Sequence, residues 1–145
     1  MEMELDAVDY KILDLLKKDS RASLADIAKE VGRTEVTVRR RVKRLIQMGV
    51  IKQFTIIVNP NINKNVRAFI RAKLLMKNSS EIAKKIENLP EVEEAYFLDG
   101  QCGIMMRCIV PSLTDLRDFL ENKLGKIEGL GDIETCVVLD NIKIA

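Results

Sequence analysis

Arg33-Thr34-Glu35-Val36-Thr37-Val38-Arg39-Arg40-Arg41-Val42-Lys43-Arg44-Leu45-Ile46-Gln47-Met48 joins an apolar stripe of helical period to six basic side chains and a single acid, Glu35. Thr34 is placed to cap a helix N-terminus, Glu35 suits the positive end of the helix dipole, and Gly49 stands where a C-terminal glycine belongs. Val38, Val42, Leu45 and Gly49 recur at spacings of four, three and four, so they share a face that packs inward. At about 100° per residue, Val36, Thr37, Arg40, Lys43 and Gln47 point away from that face, with Arg44 close to them and Arg39 and Arg41 on the flanks. Solvated helices usually interleave acids with bases at four-residue spacing, and here the cationic run reads as unneutralised. The run by itself also suits a solvated surface, so its neighbours decide.

Those neighbours favour a DNA recognition helix. Leu5 and Asp6 introduce a first helix, capped by Asp6 and running to about Lys18, in which Val8, Ile12, Leu15 and Leu16 repeat at helical spacing. After the polar break Asp19 to Ala22, Ser23-Leu24-Ala25-Asp26 has the form of a capping box with Asp in place of Glu. Leu24, Ile27, Ala28 and Val31 make the inner stripe of this second helix. Gly32 ends it and Thr34 starts the next, which is the short glycine-containing turn of a helix-turn-helix.

Leu5-Asp6, Asp9, Ile12-Leu13, Leu16, Arg21-Ala22-Ser23, Ile27-Ala28, Thr37-Val38, Arg41-Val42, Arg44-Leu45, Gly49-Val50-Ile51 and Asn59-Pro60 follow one another in an order and at intervals that resemble the Lrp/AsnC, or feast/famine, family of transcriptional regulators. The resemblance extends to the C-terminus. Residues 50 to 58 alternate so that Phe54, Ile56 and Val58 share one face, which predicts a strand. The resemblance implies that this strand pairs with a second subunit. Asn59 to Asn65, with four Asn and one Pro in seven residues, marks the domain boundary. The predicted organisation is therefore a helix-turn-helix, winged-helix-like domain over 1–50, a strand and linker over 51–65, and a second domain over 66–145.

That second domain reads as strand, helix, strand, strand, helix, strand. The strands are predicted at Arg67 to Met76, Val92 to Leu98, Ile104 to Val110 and Ile133 to Leu139. A first helix follows the cap Ser79-Ser80, carries Ile82, Ala83, Ile86 and Leu89, and stops at Pro90. A second, capped by Pro111-Ser112, presents Leu113, Leu116, Leu120 and Leu124 inward with Phe119 beside them. The order matches a ferredoxin-like βαββαβ unit, so the fold class is α+β. The resemblance makes this the effector-sensing domain, similar to ACT domains, with a small effector, typically an amino acid, held around the turn Leu98, Asp99, Gly100, Gln101, Cys102 and Gly103 between dimers. Family members often show Gly-x-x-Asp here, whereas this chain has Gly100-Gln101-Cys102-Gly103 and lacks an acid at 103. Asp99, across Gly100, is a candidate substitute. Exposed backbone N–H groups in such a turn suit a carboxylate, and a glycine-rich hairpin with no ligand is the competing reading.

Composition bounds the remaining choices. Residues 1 to 60 hold twelve Lys/Arg against nine Asp/Glu, residues 61 to 145 twelve against thirteen, and residues 33 to 52 seven against one, so the basic character is a local patch. No apolar run approaches the ~20 residues that span a bilayer, and the acidic N-terminus is unlike a signal peptide, which predicts a cytoplasmic protein. Cys102, Cys108 and Cys136 show no C-x-x-C spacing and histidine is absent, so the reading is free, mostly buried thiols and no metal site. No His, phosphate loop or activated nucleophile supports catalysis, and no cofactor is expected.

DNA recognition needs cations for phosphates and shaped groups for base edges. Because helix-turn-helix proteins read bases with the N-terminal part of the recognition helix, Val36, Thr37 and Arg40 are the base-reading candidates, with Thr34 at the cap. Arg39, Lys43 and Arg44 are candidate phosphate contacts, and Arg41 serves equally well as a brace for the fold. The partners expected are double-stranded DNA, a second copy of the chain and a small effector. Assembly beyond the dimer, to tetramers or octamers, stays open. The leading function is an oligomeric, sequence-specific DNA-binding regulator. An effector-independent DNA-architectural protein and an ACT-like module controlling an enzyme are its competitors.

Overall fold

The computed structural model describes residues 4–59, 62–75 and 79–143. It divides into two compact units, Met1–Val58 and Asn59–Ala145. Unit one is three helices: α1 (Ala7–Lys18), α2 (Leu24–Val31) and α3 (Glu35–Gln47). Their ends follow from side chains that satisfy the free N–H groups of a first helical turn. Asp6 and Asp9 form a reciprocal capping box on α1, Ser23 Oγ accepts from Asp26 N on α2, and Thr34 Oγ1 accepts from Thr37 N on α3. Asp26 does not complete the predicted box, because its carboxylate accepts from the Ser23 hydroxyl instead, at 2.6 Å. Gly32, at φ +63°, ψ +42°, takes the left-handed turn between α2 and α3 that glycine adopts without a Cβ penalty. Ile12, Ile27, Ala28, Val38 and Leu45 form the core of this unit, with Val8, Leu16, Val31 and Val42 packed around it.

The predicted strand at 50 to 58 is not formed. Residues 53 to 59 have no regular structure, and Phe54, Ile56, Ile57 and Val58 are all exposed, Ile56 at 77%. Alternation is a property of one segment, whereas a strand needs a second to complete its ladder, and the described residues of this chain offer none here.

Unit two is a four-stranded antiparallel sheet of order β2-β3-β1-β4, built from β1 (Val66–Leu74), β2 (Val92–Leu98), β3 (Gly103–Val110) and β4 (Leu130–Val137). With α4 (Ser79–Glu87) after β1 and α5 (Leu113–Asp118) after β3, this is the ferredoxin-like order. Ala68, Ile70 and Ala72 of β1 and Ile104, Met106, Cys108 and Val110 of β3 face the helices and pack against Ile82, Ile86, Leu116, Phe119 and Leu124. Burial pushes the Cys108 thiol up to about 12, which leaves it inert. Cys102 is half-buried and Cys136 exposed, so only one of the three thiols is buried as expected.

Some boundaries differ from the expectation. β4 begins at Leu130, three residues early, because Leu74 and Lys73 of β1 still find partners in Leu130 and Gly131. The expected end of β1 at Met76 lies outside the described residues. α5 is followed by a wider π turn, Phe119–Lys123, and a 3-10 turn, Leu124–Lys126. Phe119 and Leu124 of these turns lie in the core and Leu120 is half-buried, whereas Leu113, at the start of α5, is 63% exposed. Among the described residues no helix is long and apolar enough to cross a membrane, and no group of His, Cys, Asp or Glu is placed to hold a metal.

β2 and β3 are joined by the short turn Gly100–Cys102, and the turn is pinned by Gly103. Gly103 sits at φ +66°, and a Cβ there would meet Ala72 O at 2.3 Å. Both the angle and the contact demand glycine. Gly103→Ala is therefore expected to cost about 2 kcal/mol or more, read as a lower denaturant midpoint for unit two. An unchanged midpoint would show that the close approach is not a constraint.

Candidate functional site

α3 carries the cations of interest, and what each touches sorts them. Asp9 on α1 is fully buried, with 0% exposure. Its Oδ1 accepts from Arg41 Nη1 at 2.8 Å, and its Oδ2 accepts from Arg44 Nη2 at 2.7 Å and from the Asp6 backbone N–H at 3.2 Å. Asp6 Oδ2 accepts from the same Arg41 nitrogen at 2.8 Å. A buried carboxylate is costly unless paired, and here both oxygens are paired by two guanidinium groups from the recognition helix. Arg41 is 20% exposed and Arg44 48%. The hydrogen bonds from Arg41 to Asp9, then to Asp6, hold its guanidinium protonated above the usual arginine range.

Arg44, expected at a phosphate from its angular position, also makes a fold contact through Asp9 while its side chain stays 48% exposed. Arg41 is the brace, which was one of its two readings. Arg39 is paired as well, its Nη2 donating to Glu35 Oε1 at 2.6 Å one helical turn away. The run is therefore not unneutralised. Acids from α1 answer two of its arginines, and Glu35 answers a third. Among the described residues Arg40 and Lys43 of α3 have no acid in pairing range. Arg33 donates to the Gly32 carbonyl at 3.0 Å.

At the head of α3, Val36 is 76% exposed, an isolated apolar surface with no packing role. Thr34 Oγ1 and Thr37 Oγ1 lie 2.9 Å apart. With its hydroxyl so engaged and its backbone N–H capped by Thr34, Thr37 keeps its methyl group as its unengaged feature. The combination is an apolar patch at the N-terminus of a helix followed by two unpaired cations on the same side. Sequence reasoning missed Asp6 and Asp9 as its anchors. The Asp-x-x-Asp spacing of the α1 capping box was a local signal for Asp9, but its arginine partners lie 32 and 35 residues away.

The second candidate, Leu98 to Gly103, is brought together as one turn. Leu98 ends β2 opposite Gly103, Asp99 Oδ1 accepts from Gly100 N at 2.7 Å, Gln101 is exposed and Cys102 is half-buried. Beside it on β1 the Arg71 guanidinium is held protonated first by Glu134, at 2.6 Å, and to a lesser degree by Cys102. The acid missing at 103 is explained sterically, since no side chain fits there. Asp99 spends one oxygen on the turn itself. A cavity of about 350 Å³ opens elsewhere, between α4 and β2, lined by Ala83, Ile86, Val92, Ala95, Phe97 and Ile104.

A family model described as the Lrp/AsnC ligand binding domain matches residues 67–145, and one described as a winged helix-turn-helix DNA-binding domain matches residues 5–52. The transcriptional regulator FL11 of Pyrococcus furiosus is 38% identical over 136 residues, covering 93% of this chain and 89% of that protein. Escherichia coli AsnC superposes with a TM-score of 0.81 at 31% identity, covering 98% of this chain and 97% of that one. A Neisseria meningitidis transcriptional regulator, solved as a complex with L-methionine, superposes with a TM-score of 0.81 at 26% identity, covering 97% and 94%.

The clasp predicts that Asp9→Asn, which leaves two guanidinium groups around a neutral amide, destabilises unit one by about 3 kcal/mol in denaturant unfolding. Asp14→Asn, on an exposed site of the same helix, should stay within about 0.5 kcal/mol. Equal effects from the two would remove the clasp's special role. Asp6 is held below the ordinary carboxylate value of 3.8, first by the Asp9 N–H and then by Arg41. Its contribution to stability is therefore complete at neutral pH and is lost as pH falls below 3.8 through its folded value.

Proposed function

Because the chain belongs to the Lrp/AsnC family of transcriptional regulators, we propose that it reads a two-fold operator as a homodimer, with the head of α3 on the bases and its unpaired cations at their edges and on the backbone. The observation that carries this reading is the sorting of α3. Asp9 and Asp6 engage Arg41 and Arg44, so Arg40 and Lys43 are left for DNA beside the exposed Val36. Val36 and the Thr37 methyl suit a thymine methyl, Arg40 suits guanine O6 and N7, and Lys43 suits a phosphate. Thr34 holds the helix end in place. The protein acts in the cytoplasm on double-stranded DNA.

Dimerisation has two supports. One such helix reads only a few base pairs, and two-fold pairing sets two copies ~34 to 36 Å apart in successive major grooves. The segment Phe54 to Val58 presents four apolar side chains and has no ladder partner among the described residues, which suits pairing with the same segment of a second copy. The face of the sheet that carries no helix exposes Phe69 and Tyr96 and offers a larger surface for assembly.

The turn Leu98 to Gly103 is the proposed effector site, in keeping with its matched ligand-binding domain and with the L-methionine complex of the Neisseria relative. One observation favours the competing effector-independent, architectural reading: Gly103 has no room for an acidic side chain. Calorimetry against the twenty amino acids at millimolar concentration separates the two. Heat from one of them supports the effector, and none supports the architectural protein.

Arg40→Ala should weaken the best operator by ~1 to 3 kcal/mol and relax preference at one base pair, measured by competition between operator and random duplexes. Equal losses on both would remove its base-reading role. Lys43→Ala should lower affinity for all sequences and reduce the salt slope by ~0.9 per protomer, and an unchanged slope would refute the phosphate contact.

A further inference from the structure

We propose that Glu35 is a specificity-determining residue that selects cytosine, and that Arg39 positions its carboxylate. The inference rests on the reading of α3 as the base-reading helix. Glu35 is the first residue of α3, immediately before the exposed Val36, and the leading residues of a helix-turn-helix recognition helix are those that meet base edges. Its side chain is 47% exposed. Oε1 is engaged by Arg39, and among the described residues Oε2 has no partner, so one carboxylate oxygen is held and the other is available.

Two ordinary explanations for the Glu35–Arg39 pair are weak. An exposed ion pair one turn apart contributes little to stability, so the fold does not require it. A free acid at the tip of a helix that approaches a polyanion opposes binding, so a purely electrostatic design would omit it. A helix N-terminus does favour an acid, but that preference is met equally far from DNA. What a carboxylate does at this tip, and no other side chain there does, is accept a hydrogen bond while repelling acceptors.

Base chemistry then names the partner. In the major groove cytosine presents its N4 amino donor with no acceptor of its own. Adenine sets the N6 amino group beside the N7 acceptor, and guanine and thymine present acceptors that a carboxylate repels. Oε2 therefore fits cytosine best. Arg39 neutralises the local acid, fixes its rotamer and keeps the pair from being expelled by neighbouring phosphates.

Selection of bound sequences from random duplex DNA tests this with the full-length wild type, Glu35→Gln and Arg39→Gln. The expected result is a cytosine fixed at one position of each half-site for the wild type. Glu35→Gln should lose at least about fivefold of that preference, admit adenine at the same position and bind random DNA more tightly. Arg39→Gln should relax the same position. Uniformly tighter binding by Glu35→Gln with every preference intact would overturn the role of Glu35. Uniformly weaker binding by Arg39→Gln with cytosine still fixed would overturn its positioning role and make it a phosphate contact. Failure of the wild type to enrich any sequence at low salt would instead remove the underlying reading of α3. Circular dichroism melting of both variants should match the wild type, since the two residues are exposed.

Discussion

A carboxylate with no access to water, on the first helix of the chain, governs the orientation of the third. Asp9 satisfies both oxygens with Arg41 and Arg44 of α3 and with a backbone N–H of its own capping box. Buried charge of this kind gives little net stability over an apolar substitute, but loss of one partner is severe, because the charges that remain lose their compensation. The pairing therefore acts chiefly as a geometric device. Apolar contacts among Ile12, Ile27, Val38 and Leu45 hold the helices together, and two directional ion pairs add a constraint on the rotation of α3.

The same device partitions the charge. A helix of unpaired arginines would bind any phosphate from several orientations. Tying Arg41 and Arg44 to α1 leaves Arg40 and Lys43 as the cations of α3 that have no acid partner among the described residues, and it sets them beside Val36 at the helix head. Unit two obeys a comparable economy of space. One face of its sheet is filled by helix side chains, and the turn from β2 to β3 is pressed against β1 so closely that residue 103 has no side chain. The exposed apolar surface that remains, at Phe54 to Val58 and on the helix-free face of the sheet, is what a single chain cannot cover by itself.

Local chemistry made much of this legible in the sequence. The caps Asp6, Ser23 and Thr34, the breaker Gly32 and the helical stripes depend on neighbours within four residues, and all three helices formed where those signals placed them. The strand order of unit two followed from alternation and turn residues. Non-local pairing was not legible. Nothing near Arg44 announces an acid 35 residues earlier, so its pairing with Asp9 does not show on a helical wheel. The strand expected at 50 to 58 is not formed within a single chain, since its alternation is real but the ladder needs a second segment. Leu113 was expected inward on the same stripe as Leu116, but at the first position of α5 it stays exposed. At the effector turn the sequence revealed the missing acid but not its cause, the contact of Gly103 with Ala72.

The structure of the protein bound to an operator duplex, solved to a resolution that places side chains, tests the central claim most directly. The account predicts Asp9 still within hydrogen-bond distance of both Arg41 and Arg44, with Arg40 at a base edge and Lys43 at a phosphate. Arg44 released from Asp9 and seated on a phosphate, with the orientation of α3 unchanged, would contradict it.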